Sequence, residues 1–259
     1  MILYFTGTGN SKFAAEYIAD HIDDECVSLN DIMKHKKPLV FESEKPFVIV
    51  APIYAGAYPK IVMKLIRRTQ FQGSTKIYFV ATLGSKSCSC DKSLKELSAD
   101  IGMECGGVFL ATMPNNYIFG GNVPTAEDAE YIIKYTSIPA LQSISKVIAG
   151  DDWFNYKSCN LLVYPVAGFV NKMFNKFMVS SDNFVVSGNC ISCGKCAAVC
   201  PVNNIIMIGG EPLFRKKCLN CYSCISRCPK KAINIGKRTE KFNRYVCPEY
   251  KDWKENGLV

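Results

Sequence analysis

Two cysteine runs in the C-terminal third leave the chain little freedom of fold there. Cys190-Ile-Ser-Cys193-Gly-Lys-Cys196-Ala-Ala-Val-Cys200-Pro201 spells C-x2-C-x2-C-x3-C-P, and Cys218-Leu-Asn-Cys221-Tyr-Ser-Cys224-Ile-Ser-Arg-Cys228-Pro229 repeats it 28 residues later. Three thiolates so closely spaced on one loop reach three corners of a single iron–sulfur cube, and the fourth ligand must arrive from elsewhere. Where two such runs occur together, the fourth cysteine of each ligates the other cube. Cys190, Cys193, Cys196 and Cys228 are therefore expected on one 4Fe–4S cluster, and Cys218, Cys221, Cys224 and Cys200 on the other. A structural zinc takes four ligands, usually as two separated pairs, and fits this pattern poorly. Gly194 leaves backbone room at the first cube, and Pro201 and Pro229 turn the chain away. Between the runs, Ile205 to Phe214 reads as a hairpin with a Gly-Gly turn, and Ala232-Ile-Asn-Ile235 echoes its first strand.

The runs hold eight of the fourteen cysteines. The first strand begins at Ile2 and leaves no room for a targeting peptide, so the protein is expected in the cytosol. Cysteines in that compartment argue for metal or redox use over a disulfide framework. No stretch reaches the roughly 18 apolar residues of a membrane span; the nearest, Leu161 to Val179, is broken by Asn171, Lys172, Asn175 and Lys176. About residues 183–238 the chain resembles the two-cluster bacterial-type ferredoxin family, with all eight ligands and both prolines in place. The resemblance implies low-potential, one-electron transfer. Such ferredoxins are usually acidic, whereas residues 183–259 hold 13 Lys/Arg against 5 Asp/Glu. Residues 1–182 hold 18 of each, so the net +8 belongs to the cluster half. That imbalance predicts docking of an acidic redox partner. The basic residues form no helical stripe or motif for nucleic acid.

Residues 1–150 alternate strand and helix patterns. Apolar runs at Ile2–Thr6, Cys26–Leu29, Phe47–Ala51, Ile77–Ala81 and Gly107–Thr112 alternate with helical patterns, among them Pro59–Arg68, Asp91–Ile101 and Thr125–Ile148. The pattern predicts an α/β fold, a doubly wound five-stranded parallel sheet. Ligands of such sheets bind beyond the carboxyl ends of the strands. Residues 151–182 are expected to be a helical linker: Phe169, Val170, Met173, Phe174, Phe177 and Met178 recur at helical spacing, as in a helix packed between the halves. A membrane-surface helix is the alternative, although its charge is slight. Residues 183–259 form a small α+β cluster domain with a C-terminal tail.

The turn after the first strand reads Thr6-Gly7-Thr8-Gly9-Asn10-Ser11-Lys12. Ser11 stands where a P-loop needs glycine, and Lys12 where a dinucleotide fingerprint needs its third glycine. What remains is a mononucleotide loop, whose hydroxyls, amide and backbone N–H groups at a helix start hold a phosphate. It resembles the T-x-T-G-N-S/T loop of the flavodoxin family, and the resemblance covers roughly residues 1–150. It implies that Thr6, Gly7, Thr8, Gly9, Asn10 and Ser11 grip the phosphate of FMN. Pro52-Ile53-Tyr54-Ala55-Gly56-Ala57-Tyr58-Pro59 is similar to the loop that lies against the flavin ring. Tyr54 is expected to pack on the ring, with the backbone of Ala55 and Gly56 at its polar edge. Thr82-Leu83-Gly84-Ser85 takes the place of the third flavin loop, without a stacking aromatic. Asn115, Asn116 and Tyr117 complete the expected site.

Order and spacing over the whole chain resemble the flavodoxin–ferredoxin fusion proteins of anaerobes. The expected function is electron transfer, with FMN and two 4Fe–4S clusters passing single electrons between redox partners. The alternative is a flavin-dependent reductase of a small molecule, fed by the clusters, with Tyr54, Tyr58, Cys88 or Cys90 as proton donor. A redox sensor lacks any effector segment. No second nucleotide domain is visible, so direct use of NAD(P)H is not expected. Cys88 and Cys90 read as incidental, because a C-x-C disulfide is strained. Cys247 stands alone and is not expected as a ninth ligand. His21 and His35 show no partner in the sequence.

Overall fold

Phe47–Ala51 and Ile77–Ala81 are apolar on both faces, which suits the centre of a sheet covered by helices on both sides. In the computed structural model, which describes residues 1–84, 90–150 and 163–259, they take that place. The first half runs β1 (Ile2–Tyr4), α1 (Asn10–His21), β2 (Cys26–Ser28), α2 (Leu29–His35), β3 (Val40–Ser43), β4 (Phe47–Pro52) and α3 (Lys60–Arg67). It continues with β5 (Gln70–Gly73), β6 (Lys76–Leu83), α4 (Asp91–Asp100), β7 (Glu104–Thr112) and α5 (Ala126–Ile132). A π-helical turn, Ile133–Ser137, leads into α6 (Ile138–Ala149).

The main sheet has the order β2-β1-β4-β6-β7, every pair parallel. Strand alternation splits the core in two. Leu3, Ile49 and Phe79 face one side with Val62, Ile66, Leu94 and Leu97 of α3 and α4. Ile2, Val48, Val50 and Val80 face the other with Phe13, Ile18, Leu141 and Ile144 of α1 and α6. The short parallel ladder β3·β5 and helix α2 were not expected from the sequence. The helical pattern after β7 opens as expected: Thr125 Oγ1 accepts from the Asp128 N–H at 3.1 Å in a capping box. It is interrupted near Pro139, which lacks an N–H for the helical ladder, and the π-helical turn lies just before it.

The second half comprises α7 (Val163–Phe177), β8 (Phe184–Val186), α8 (Lys195–Ala198), β9 (Ile205–Ile208), β10 (Glu211–Phe214), α9 (Ser223–Ser226), β11 (Ile233–Ile235) and α10 (Tyr250–Glu255). β9 and β10 form the expected hairpin, and its turn residues Gly209 and Gly210 have φ 57° and 85°, as a type I′ turn requires. β11 pairs antiparallel with β8.

The C-terminal segment is not a free tail. It returns to α1, where Phe13 meets Tyr250 and Trp253 edge-on at centroid distances of 5.6 and 5.7 Å. Tyr250 donates to Asp20 Oδ2 at 2.8 Å, and Lys254 pairs with the same carboxylate. At α2, Lys34 donates to the Ala197 and Ala198 carbonyls ending α8, and Asn203 donates to the Lys34 carbonyl at 2.9 Å.

Helix α7 departs from its expected burial. Asn171 and Phe174 face the first half, and Asn171 Nδ2 donates to the Tyr54 and Ala55 carbonyls at 2.9 and 3.2 Å. Phe169, Val170, Met173 and Phe177 are exposed, on the faces of the helix turned away from Asn171, and Met178 beyond its end is exposed as well. The histidines do have partners: His21 stacks on Tyr17 at 4.0 Å, and His35 faces Asp31 at 2.7 Å. Residues 151–162 of the expected linker, with Ser85 and Cys88, lie outside the described residues.

Candidate functional site

The turn between β1 and α1 is held from three directions. Thr6 N–H donates to Asn30 Oδ1 at 2.9 Å, and Asn30 Nδ2 returns a bond to the Thr6 carbonyl at 2.7 Å. Gly9, at φ 115°, donates its N–H to Thr6 Oγ1 at 3.1 Å and closes the turn. Asn10 Nδ2 donates to the Pro114 carbonyl at 2.8 Å, and Ser11 Oγ lies 2.7 Å from Thr82 Oγ1. No side chain caps α1 and no acidic residue stands in its first turn. Its opening N–H groups thus remain available to an anion. Lys12 turns away to Glu16 and to Glu249 of the C-terminal segment.

Beyond the carboxyl ends of β1, β4, β6 and β7 lies a cavity of about 500 Å³. Thr6, Gly7, Asn10 and Ser11 line it, with Pro52, Ile53, Tyr54, Ala55 and Gly56 from the second loop, Thr82, Leu83 and Gly84 from the third, and Asn115. Asn116 and Tyr117 line it as well. The second loop is a tight turn, with Ala55 at φ 47° and Gly56 at φ 87° and paired bonds between Tyr54 and Ala57. Burial raises the Tyr54 phenol well above its ordinary pKa. Among the described residues no charged side chain lines the cavity. A phosphate held here would rest on N–H groups, hydroxyls and the helix dipole alone.

Four expected residues sit elsewhere. Thr8 and Gly9 are behind the loop. Thr8 accepts from Asn116 Nδ2 at 2.8 Å through Oγ1 and from the Cys247 N–H at 2.8 Å through its carbonyl, while Gly9 backs onto Cys247. Tyr58 is no candidate proton donor at the cavity: it is buried in the core on the α3 side, where its hydroxyl donates to the Ile49 and Val80 carbonyls at 3.0 and 2.9 Å. Cys90 is fully buried in the same core, and burial pushes its thiol up to about 12.

The cavity's remaining wall was not legible in the sequence. Phe174 of α7 and the Asn220-Cys221-Tyr222 stretch of the second cysteine run complete it. The nearest available signal was the loop's own glycine at position 7, whose Cα leaves room for the Cys221 carbonyl.

Two smaller cavities lie in the second half. Cys190, Cys193, Cys196 and Cys228 line one; Cys200, Cys218, Cys221 and Cys224 line the other. Each set takes three thiols from one run and the fourth from the other run. Backbone N–H groups donate to sulfurs of these sets: Asn204 to Cys200 Sγ at 3.2 Å, Ala232 to Cys228 Sγ at 3.3 Å and Asn220 to Cys218 Sγ at 3.4 Å. Such bonds favour thiolates and tune a cluster they ligate. Burial pushes Cys221 up to about 12 and raises Cys224 well above its ordinary value. Thiols such as Cys221 and Cys224 suit a cationic iron core that stabilises thiolate. Cys193 of the first set is exposed, whereas Cys200 of the second is buried and Cys218, Cys221 and Cys224 are half-buried; the second cavity shares Cys221 and Tyr222 with the large cavity. Cys247 is buried, is pushed up to about 12 by burial, and borders neither cysteine cavity.

Comparison with known proteins matches the flavodoxin domain model to residues 1–97 and the 4Fe-4S dicluster domain model to residues 182–229. A ferredoxin of Pyrobaculum islandicum is 31% identical over 81 residues, which span 25% of this chain and 76% of that protein. The two-electron reduced flavodoxin of Megasphaera elsdenii superposes with a TM-score of 0.35 at 15% identity, over 57% of this chain and 97% of its own. An azoreductase of Bacillus anthracis superposes with a TM-score of 0.36 at 12% identity, over 57% and 98%. A flavodoxin domain implies a flavin, and a 4Fe–4S domain implies iron–sulfur clusters. The uncapped helix start and the sulfur-donor cavities fit both groups. Among the described residues, no helix is long and apolar enough to cross a membrane.

Proposed function

The chain belongs to the flavodoxin–ferredoxin fusions, and on that premise we propose that it is an electron carrier with FMN and two 4Fe–4S clusters. FMN exchanges electrons singly or in pairs and each cluster exchanges them singly, so the chain joins the two kinds of partner. Thr6, Asn10, Ser11 and the first turn of α1 bind the FMN phosphate, and Gly7 lies between this grip and the Cys221 backbone. Tyr54, Ala55, Gly56, Leu83, Gly84 and Asn115 hold the ring. Cys218, Cys221, Cys224 and Cys200 bind an inner cluster beside the flavin; Cys190, Cys193, Cys196 and Cys228 bind an outer one. Residues 1–150 act as the flavin domain and residues 183–259 as the cluster domain.

The observation that carries this reading is the shared wall: Cys221 and Tyr222 border both the flavin cavity and the inner cluster cavity. The two centres are then neighbours within one chain, and exchange between them does not wait for two proteins to meet. The outer cluster opens toward solvent at Cys193, with exposed Ile191 and Lys195 beside it and exposed Lys230 on its rim. An acidic redox protein of the cytosol docks there.

The small-molecule reductase is the second reading, and it loses support at the flavin. Phe174, Asn220, Cys221 and Tyr222 wall the cavity from the second half, and two of its four candidate proton donors, Tyr58 and Cys90, face away. Anaerobic purification tests the choice. The account expects about eight irons and one FMN per chain, ready reduction by dithionite or a reduced ferredoxin, and slow or no reduction by NADH or NADPH. Rapid stoichiometric bleaching by NADPH would sink the carrier reading.

A further inference from the structure

Position 7 is the open place in the phosphate-loop pattern T-x-T-G-N-S/T, yet the chain has glycine there. The loop's own conformation does not ask for it. Gly9 is left-handed at φ 115°, but Gly7 is not among the residues of positive φ. The demand comes from the other half of the molecule. A Cβ on Gly7 would stand 2.4 Å from the Cys221 carbonyl oxygen, 3.3 Å from its carbonyl carbon and 3.3 Å from its Cβ. The nearest obstacle is backbone, which cannot swing aside as a flexible side-chain end does.

We propose that Gly7 is a positioning residue for electron exchange: the missing side chain lets the Cys221 loop seat directly on the flavin loop. The inference rests on the carrier reading above, with Cys221 as an inner-cluster ligand. Three observations converge on it. Gly7 lines the large cavity, Cys221 lines both that cavity and the inner cluster cavity, and a side chain on Gly7 would collide with the Cys221 backbone. One electron then leaves the centre on one side of Cys221 and enters the centre on the other. One centre is oxidised, the other is reduced, and no bond forms or breaks.

The spatial order follows. The outer cluster faces solvent, the inner cluster lies behind Cys200 and Cys224, and the flavin lies behind Cys221. Gly7 sits at the last of these steps and has no part in docking an external partner.

The test is Gly7→Ala in the full-length chain, purified anaerobically beside the wild type. The expected variant carries wild-type flavin and iron, with the potentials of both kinds of centre unchanged. Its flavin emission rises as the cluster is held further off. After rapid partial photoreduction, electrons equilibrate between clusters and flavin more slowly than in the wild type, because a Cβ placed 2.4 Å from the Cys221 carbonyl oxygen forces the two loops apart. A variant with full cofactors and the wild-type rate overturns the proposal. So does one that loses its flavin or fails to fold, because position 7 would then serve the phosphate loop itself. Failure of the carrier reading shows separately, as a wild-type protein without flavin or without iron.

Discussion

Tyr245 ties the C-terminal segment to the flavin loop through one bond. Its hydroxyl donates to Asn10 Oδ1 at 2.7 Å, and both residues are buried, at 4% and 8% exposure. Asn10 is held on its other side by the Pro114 carbonyl. Tyr245→Phe removes the donor and keeps the ring, leaving Asn10 Oδ1 buried without a partner. Such an orphaned acceptor costs about 1–3 kcal/mol; relaxation of Asn10 recovers part of it, so a loss of about 1–2 kcal/mol in stability is expected. Asn10 lines the flavin cavity, and a side chain freed there must be reordered on binding. If about 1 kcal/mol of that reordering falls on the ligand, the FMN Kd rises roughly fivefold. Fluorescence titration of the deflavinated variant with FMN measures the affinity, denaturant unfolding measures the stability, and iron content should stay at the wild-type level. A variant matching the wild type in both Kd and unfolding midpoint would refute the claim that this contact preorganises the loop.

Ligand variants test the crossed cluster assignment: Cys193→Ala and Cys228→Ala should abolish one spectroscopic signal and Cys200→Ala and Cys224→Ala the other, each leaving about four irons. Asp20 is held below the ordinary carboxylate range by hydrogen bonds from Lys254 and Tyr250. Its contribution to docking α10 is therefore present above the unfolded value of about 3.9 and is lost as pH falls through the lowered folded value. In a Trp153→Phe background, Trp253 emission should shift to the red in that acid range, and Asp20→Asn should remove the step. Reduction by an acidic ferredoxin should slow as salt rises; a salt-independent rate would remove the docking argument.

Local chemistry was legible in the sequence wherever one short segment carries it. The two cysteine runs stand out because thiolate spacing is a local constraint, and the fold groups those thiols in the two expected fours. The five sheet strands were readable from apolar runs bounded by loops. The ladder β3·β5 was not, because Val40–Ser43 and Gln70–Gly73 are short and largely polar or exposed. What escaped altogether was contact between distant segments. Nothing near position 7 says that Cys221 rests on it, and nothing near Cys247 or Tyr245 says that they pin Thr8 and Asn10. Helical spacing in α7 was correctly periodic but misjudged in direction, since periodicity groups residues on a face without saying which face is covered.

The central claim is that flavin and clusters form one relay inside one chain. Its most direct measurement is the exchange rate between them after rapid partial reduction of the anaerobic, fully loaded protein, followed at several protein concentrations. The account predicts that cluster and flavin signals relax together in a first-order process whose rate is independent of concentration. A rate that rises in proportion to protein concentration, or a flavin that never exchanges with the clusters, would contradict it.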